Sequence, residues 1–331
     1  MKIINLSDLD PSWCWLKDEF QNSNLEWLHY SSKAVKLPKI LPKRDSIARV
    51  IAAMRAVNEA RKGQSVLVSH GPRPALYAGS FAKLMCPNVP HLVYSFNFTD
   101  LPHGTQRKLM TKAFQQAKRF VTYSTLERKL YADYFDIPIE SIDMLHWAVH
   151  HPKVDLSESP IETGPYICAL GSQGRDYKTL FEAMKKLPQI KLVVVASKDS
   201  IQHLSIPNNV KVYSNIPLDQ AHNILAHSQF MVIPLRDSQV PCGQVTVVSG
   251  MFFKKAMIVT DSRGIHDYIQ NGETGILCQP KDALDLSGKI EQLWSSPVEI
   301  EKLSQKAYQF ALAHCTERKV VDYFTHFLNN I

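Results

Sequence analysis

The chain has 331 residues, 45% hydrophobic and 21% charged, which exceeds the usual size of one hydrophobic core and rules out a disordered, collagenous or low-complexity protein. Its net charge of +7 is unevenly placed, with 21 basic against 15 acidic residues in positions 1–160 and 17 against 16 in the remainder. That basic first half suits an anionic membrane surface or a phosphate-bearing acceptor, whereas no nucleic-acid partner is expected, because the Lys and Arg residues are not interleaved with aromatics in any binding module.

Taken in chain order, Lys2 to Leu6 reads as a buried strand, Leu25 to Tyr30 as a second, and Asp45 to Lys62 as a helix with Ile47, Val50, Ile51, Met54 and Val57 at helical spacing. Strands follow at Ser65–Ser69, His91–Phe96 and Arg119–Tyr123, separated by helices over Ala75–Met85, Thr105–Lys118 and Thr125–Tyr134. The polar, proline-containing segment His151–Gly164 keeps neither period and reads as a linker. Beyond it come strands at Tyr166–Leu170, Ile190–Ala196, Val210–Tyr213 and Phe230–Pro234, with helices over Tyr177–Leu187 and Leu218–Ala226, and a closing helical region at Val298–Asn330. This alternation predicts an α/β protein of two Rossmann-like, doubly wound domains, one spanning residues 1–152 and the other 165–310, with a last helical segment at 311–331.

The six cysteines (Cys14, Cys86, Cys168, Cys242, Cys278, Cys315) make no C-x-x-C pair and no zinc pattern, so reduced thiols are expected. The apolar run at the N-terminus is interrupted too soon for a signal peptide, and no segment approaches the ~20 apolar residues of a membrane span. A cytoplasmic protein is the expectation, with peripheral contact at the inner face of an anionic membrane as its one surface association.

Most of the chemistry lies in Pro241–Pro280. Cys242-Gly243-Gln244 forms a turn that opens a helix, a β-branched strand covers Ala256–Thr260, and Asn271-Gly272-Glu273-Thr274-Gly275 makes a second turn. Helix starts leave backbone N–H groups unpaired at the positive end of the helix dipole, so a phosphate can sit there. Gly243, Gln244, Val245 and Thr246 are therefore candidate phosphate and sugar contacts. Arg236, just after a strand at the carboxyl edge of the sheet, is another pocket candidate. A second loop, Gly171-Ser172-Gln173-Gly174-Arg175-Asp176, also joins a strand to a helix, and its guanidinium suits phosphate oxygens. In the first domain, Ser69-His70-Gly71-Pro72 ends a strand; His70 is a candidate hydrogen-bonding or acid–base group, and Asn97, Asp100 and His103 follow the next strand as candidates for the acceptor entrance. Asp8 and Asp10 are not read as a metal site: two aspartates at i, i+2 beside a strand end are common by chance.

Lys255-Ala256-Met257-Ile258-Val259, then Gly264, then Asp267-Tyr268-Ile269-Gln270-Asn271-Gly272-Glu273-Thr274-Gly275-Ile276-Leu277 resembles the donor-binding half of GT-B glycosyltransferases, especially the retaining family 4. The resemblance implies transfer of a sugar from a nucleotide diphosphate sugar, with UDP-sugar favoured over GDP-sugar, to a glycan or lipid-linked acceptor in surface polysaccharide or glycolipid assembly. It implies no metal and no other cofactor, with basic side chains and a helix terminus in the metal's place, and a C-terminal helix crossing back to the first domain. It further implies that Arg175 occupies the position of a diphosphate-binding Lys, and that Ser197, Lys198, Asn215 and Ile216 meet the base. Two family glutamates fall on Pro241 and Ser249, so Ser249 takes the place of a ribose-binding carboxylate. A weakly active homologue serving as a binding subunit, and a nucleotide-sugar epimerase of the same fold, stand as the alternatives.

Overall fold

The computed structural model describes residues 1–21, 24–149, 159–236 and 238–331. The chain divides into two units, Met1–Leu145 with Val321–Ile331, and His146–Val320. The linker expected at His151–Gly164 lies outside the described residues as far as position 158. Its remainder packs on the second unit: Ile161 N–H donates to Asn223 Oδ1 at 3.0 Å, and the buried Glu162 carboxylate accepts from Lys191 and Tyr213.

In the first unit, β1 (Lys2–Ser7), β2 (Glu26–Ser31), β3 (Ser65–His70), β4 (His91–Tyr94), β5 (Arg119–Thr122) and β6 (Ile142–Met144) form one parallel sheet in the order β2-β1-β3-β4-β5-β6. Helices α1 (Arg44–Ala60), α2 (Pro72–Met85), α3 (Gly104–Phe114) and α4 (Thr125–Phe135) connect them. Helix α1 buries a stripe of small residues, Ala48, Ala52, Ala53, Ala56 and Ala60, which lets it lie close on α2. α2 begins at Pro72 rather than at the expected Ala75, because the prolines of Pro72-Arg73-Pro74 fit the first turn, where φ is already helical and the missing N–H has no partner to lose. Residues 321–331 close this unit. Phe324 packs its ring on Trp15 at 5.1 Å and Trp27 at 5.7 Å, and Tyr323 donates to Asp143 Oδ2 at 2.8 Å.

The second unit repeats the plan. Strands β7 (Ile167–Leu170), β8 (Leu192–Val195), β9 (Val210–Tyr213), β10 (Met231–Ile233), β11 (Met257–Thr260) and β12 (Ile276–Cys278) are parallel, in the order β12-β11-β10-β7-β8-β9. Their helices are α5 (Tyr177–Met184), α6 (Lys198–Ile201), α7 (Leu218–His227), α8 (Gln244–Phe252), α9 (Ala283–Trp294) and α10 (Pro297–His314), with α11 (Glu317–Asn329) straddling the boundary between the units. The strand β8 reads Leu-Val-Val-Val with Leu192, Val193 and Val194 wholly buried, the run expected of a sheet covered on both faces. From β7 the chain moves outward to β8 and β9, then returns to the other side of β7 at β10. The switch point between β7 and β10 is where such a sheet opens a crevice at its carboxyl ends.

Candidate functional site

The carboxyl ends of the second sheet form a cavity of about 370 Å³. Gly171 and Ser172 come from the end of β7, Ala196 and Ser197 from β8, Asn215 and Ile216 from β9, and Val245, Thr246 and Ser249 from α8. Hydrogen bonds tie these ends together: Ser172 Oγ accepts from Ser197 N–H at 2.7 Å, and Ser200 donates to Ser172 O at 3.2 Å. Of the expected donor-side residues, the structure thus brings together Gly171, Ser172, Ser197, Asn215, Ile216, Val245, Thr246 and Ser249. Lys198 and Arg236 are exposed and do not line the cavity; Arg236 instead donates through Nε to Arg175 O at 2.9 Å, pinning the loop from outside.

Arg175 lies behind the cavity wall, only 5% exposed. Its guanidinium donates to Leu170 O (3.2 Å), Gln173 O (2.9 Å) and Thr246 Oγ1 (2.6 Å). A guanidinium carries five N–H groups, so one N–H on each terminal nitrogen is left for another acceptor. Among the described residues no carboxylate pairs with it, and burial depresses its pKa, the cost of holding an unneutralised cation in a low-dielectric setting. The room for it comes from Gly171, whose φ is +107°; a Cβ there would stand 2.6 Å from Arg175 Nη2. Any other residue at 171 would displace the guanidinium.

Gly243 caps α8 with φ +95° and no side-chain cap. A Cβ at this position would also meet Leu235 Cδ2 at 2.8 Å, so both backbone and packing require glycine. Val247 N–H closes the first helical bond to Gly243 O at 2.9 Å; the N–H groups of Gln244, Val245 and Thr246 therefore precede the helix's own acceptors and form its positive end. Gly243 and Gln244 shape this terminus without lining the cavity, Gln244 being 8% exposed. Ser249 donates to Val245 O at 2.9 Å, within its own helix.

Sequence reasoning missed the part of the wall that α7 builds from Leu218, Ala221, His222 and Leu225. The signal was present: these positions fall at i, i+3, i+4 and i+7, and His222 is the one polar interruption of that stripe.

In the first unit, His70, Asn97, Asp100 and His103 line one cavity of about 530 Å³ with Asp8 and Arg73. His70 ends β3, meets Asn5 Oδ1 through Nε2 at 3.2 Å, and packs edge-on against Trp13 (4.7 Å) and Trp15 (4.6 Å). Burial among these rings pushes its pKa down to about 3, with His29 adding to the effect, so the imidazole is neutral near pH 7. Asp8 is engaged by Arg49 Nε at 2.7 Å and Ser32 Oγ at 2.6 Å, while Asp10 caps the turn at Ser12.

Comparison with known proteins agrees with this arrangement. Residues 158–310 match the family described as Glycosyl transferases group 1. This part of the chain is similar to group 1 glycosyltransferase domains. The whole chain superimposes on HepE of Anabaena, solved in complex with UDP (TM-score 0.75, 12% identity, 100% of both chains), and on sucrose-phosphate synthase of Thermosynechococcus elongatus (TM-score 0.76, 12% identity, 99% of both). A glycosyltransferase of Rickettsia africae is similar at a TM-score of 0.69 and 16% identity, covering 100% of this chain and 99% of that one. These likenesses identify the fold as GT-B, two Rossmann-like domains in one chain, as the resemblance implied. EpsD of Bacillus subtilis, named for glycosyl transfer, is 34% identical over 76 residues, a match spanning 23% of this chain and 20% of that protein.

Proposed function

We propose that the chain transfers a glycosyl group from a nucleotide diphosphate sugar to a glycan or lipid-linked acceptor. The observation that carries this reading is Arg175, a buried cation with no carboxylate partner among the described residues, whose hydrogen-bonding partner Thr246 and close neighbour Gly171 both line the cavity beside the uncapped start of α8. Positive charge from two sources converges on one place. A leaving diphosphate is the group that such a site stabilises, and it does so most strongly as negative charge develops during bond cleavage. Thr246 links the two sources, since its hydroxyl accepts from Arg175 while its N–H belongs to the helix terminus.

UDP is favoured as the leaving nucleotide, supported by the likeness in fold to HepE, which has been solved with UDP and with UDP-glucose. The reaction is read as retaining and metal-independent, with Arg175 and the α8 terminus doing the work of a divalent cation. The cavity around His70 takes the acceptor, where neutral imidazole, Asn97 and Asp100 are groups suited to sugar hydroxyls. Assembly of surface polysaccharide or glycolipid, at the cytoplasmic face of an anionic membrane, fits the basic first 160 residues. Among the described residues no helix is long and apolar enough to cross a membrane.

The test is release of nucleoside diphosphate from a panel of UDP-, GDP- and ADP-sugars, with and without candidate acceptors. Acceptor-dependent release that is lost in Arg175→Ala is expected. Binding of a nucleotide sugar with no release under any condition would favour a binding subunit, and conversion of the sugar without an acceptor would favour an epimerase.

A further inference from the structure

The donor cavity has an order along α8. Thr246 marks the phosphate end, and Ser249 lies three residues on, about 4.5 Å further along the axis at 1.5 Å per residue. In a nucleoside diphosphate the ribose follows the phosphates, so Ser249 stands at the depth of the ribose. Its hydroxyl proton is already given to Val245 O, which leaves it able only to accept from a ligand. A vicinal diol needs more than that.

His222, on α7, lines the same cavity as Ser249. The two are tied together by Phe253, which sits one turn beyond Ser249 on the same face of the α8 segment and packs its ring on the His222 imidazole at 4.9 Å. Among the described residues lining the cavity there is no Asp, Glu, Lys or Arg, and His222 is the one histidine. Ser172 Oγ accepts from Ser197 N–H, and the Ser197 hydroxyl pairs with Ser200 Oγ, on the rim that joins β7 to β8.

We propose that His222 is the residue that recognises the ribose of the donor, its imidazole hydrogen-bonding one of the vicinal hydroxyls while Ser249 accepts from the other, in a cavity whose described lining holds no carboxylate to do so. The proposal rests on the nucleotide-sugar reading. Burial lowers the pKa of His222, only partly opposed by Asp219 on its own helix, so the ring is neutral near pH 7 and offers one acceptor and one donor nitrogen. The two ring nitrogens point apart, so one of them meets one ribose hydroxyl while Ser249 accepts from its neighbour.

The experiment is a binding cycle by calorimetry on the full chain, using the tightest of UDP, GDP and ADP with its 2′-deoxy and 3′-deoxy forms. Wild type should lose about 3- to 10-fold in affinity for at least one deoxy form, the worth of one neutral hydrogen bond. In His222→Ala, affinity for the parent nucleotide should fall by a similar factor and that deoxy penalty should vanish; His222→Gln, which keeps a donor and an acceptor, should restore part of both. Thermal midpoints of the free variants check folding. If His222→Ala weakens parent and deoxy nucleotides equally, or leaves the parent unaffected, His222 is only packing against Phe253 and the proposal is wrong. If wild type binds none of the three nucleotides, the nucleotide-sugar reading falls first and takes the role of His222 with it.

Discussion

Arg175→Ala separates a ligand-binding arginine from a structural one, because the two make opposite predictions for the free and the nucleotide-bound protein. The substitution removes three hydrogen bonds, to Leu170 O, Gln173 O and Thr246 Oγ1, but it also removes a buried cation with no carboxylate among the described residues to offset its desolvation. These terms oppose each other, and the free protein should change by less than about 2 kcal/mol. The ligand side has no such cancellation. Losing charge-assisted hydrogen bonds of about 1.5 to 3 kcal/mol weakens nucleoside diphosphate binding about 10- to 100-fold. At a concentration 100 times the wild-type Kd, a ligand stabilises the fold by about 2.7 kcal/mol; after a 100-fold loss the gain at that concentration falls to about 0.4 kcal/mol, and after a 10-fold loss to about 1.4 kcal/mol. Chemical denaturation with and without UDP, on wild type and variant, measures both quantities. A variant that is strongly destabilised when free, yet keeps the full UDP-induced gain, would show that Arg175 only braces the loop.

Turnover should survive excess chelator, and Asp10→Ala should leave it nearly unchanged, since Asp10 is taken up by Ser12; loss of activity restored by magnesium or manganese would overturn the metal-free reading. Association with anionic vesicles should be salt-sensitive, because α3 exposes Lys108 and Lys112 with Leu109 between them, and such charges are screened beyond about 10 Å at 0.1 M salt; equal binding to neutral vesicles at high salt would refute it. Glu162→Gln should destabilise the protein in a pH-dependent way. Burial alone would raise the Glu162 pKa, but hydrogen bonds from Lys191, Lys211 and Tyr213 outweigh it and bring the value down to about 2. A carboxylate depressed on folding contributes stability above its unfolded pKa of about 4.3, and that contribution fades as pH falls toward 2. The gap between wild type and Glu162→Gln should therefore be constant above about pH 5 and narrow below it; a gap that does not change with pH would show that the ion pairs contribute nothing.

The sheets were largely legible because parallel strands buried on both faces are written as β-branched runs, and their carboxyl ends then locate the loops that make a site. Gly243 was legible for the same reason, as the turn between β10 and α8. Three-residue strands such as β6 and β12 are too short to carry a period. Helix α9 escaped notice although Leu286, Ile290 and Leu293 have helical spacing and Asp282 caps it through the N–H groups of Leu284 and Asp285. What no sequence pattern could show is depth. Arg175 reads as a loop residue, and only the space left by the missing side chain of Gly171 explains why its guanidinium lies inside. Arg236 and Lys198 show the converse: strand ends place their backbones near the crevice, but neither side chain lines the cavity, and Arg236 Nε is instead bound to Arg175 O.

The most direct measurement is a crystal structure of the protein with UDP bound. The phosphates should lie against the N–H groups that open α8 and beside Gly171, with the ribose between Ser249 and His222. UDP bound elsewhere, or bound in this cavity with its phosphates turned away from Thr246 toward the ends of β8 and β9, would contradict the assignment of the donor site.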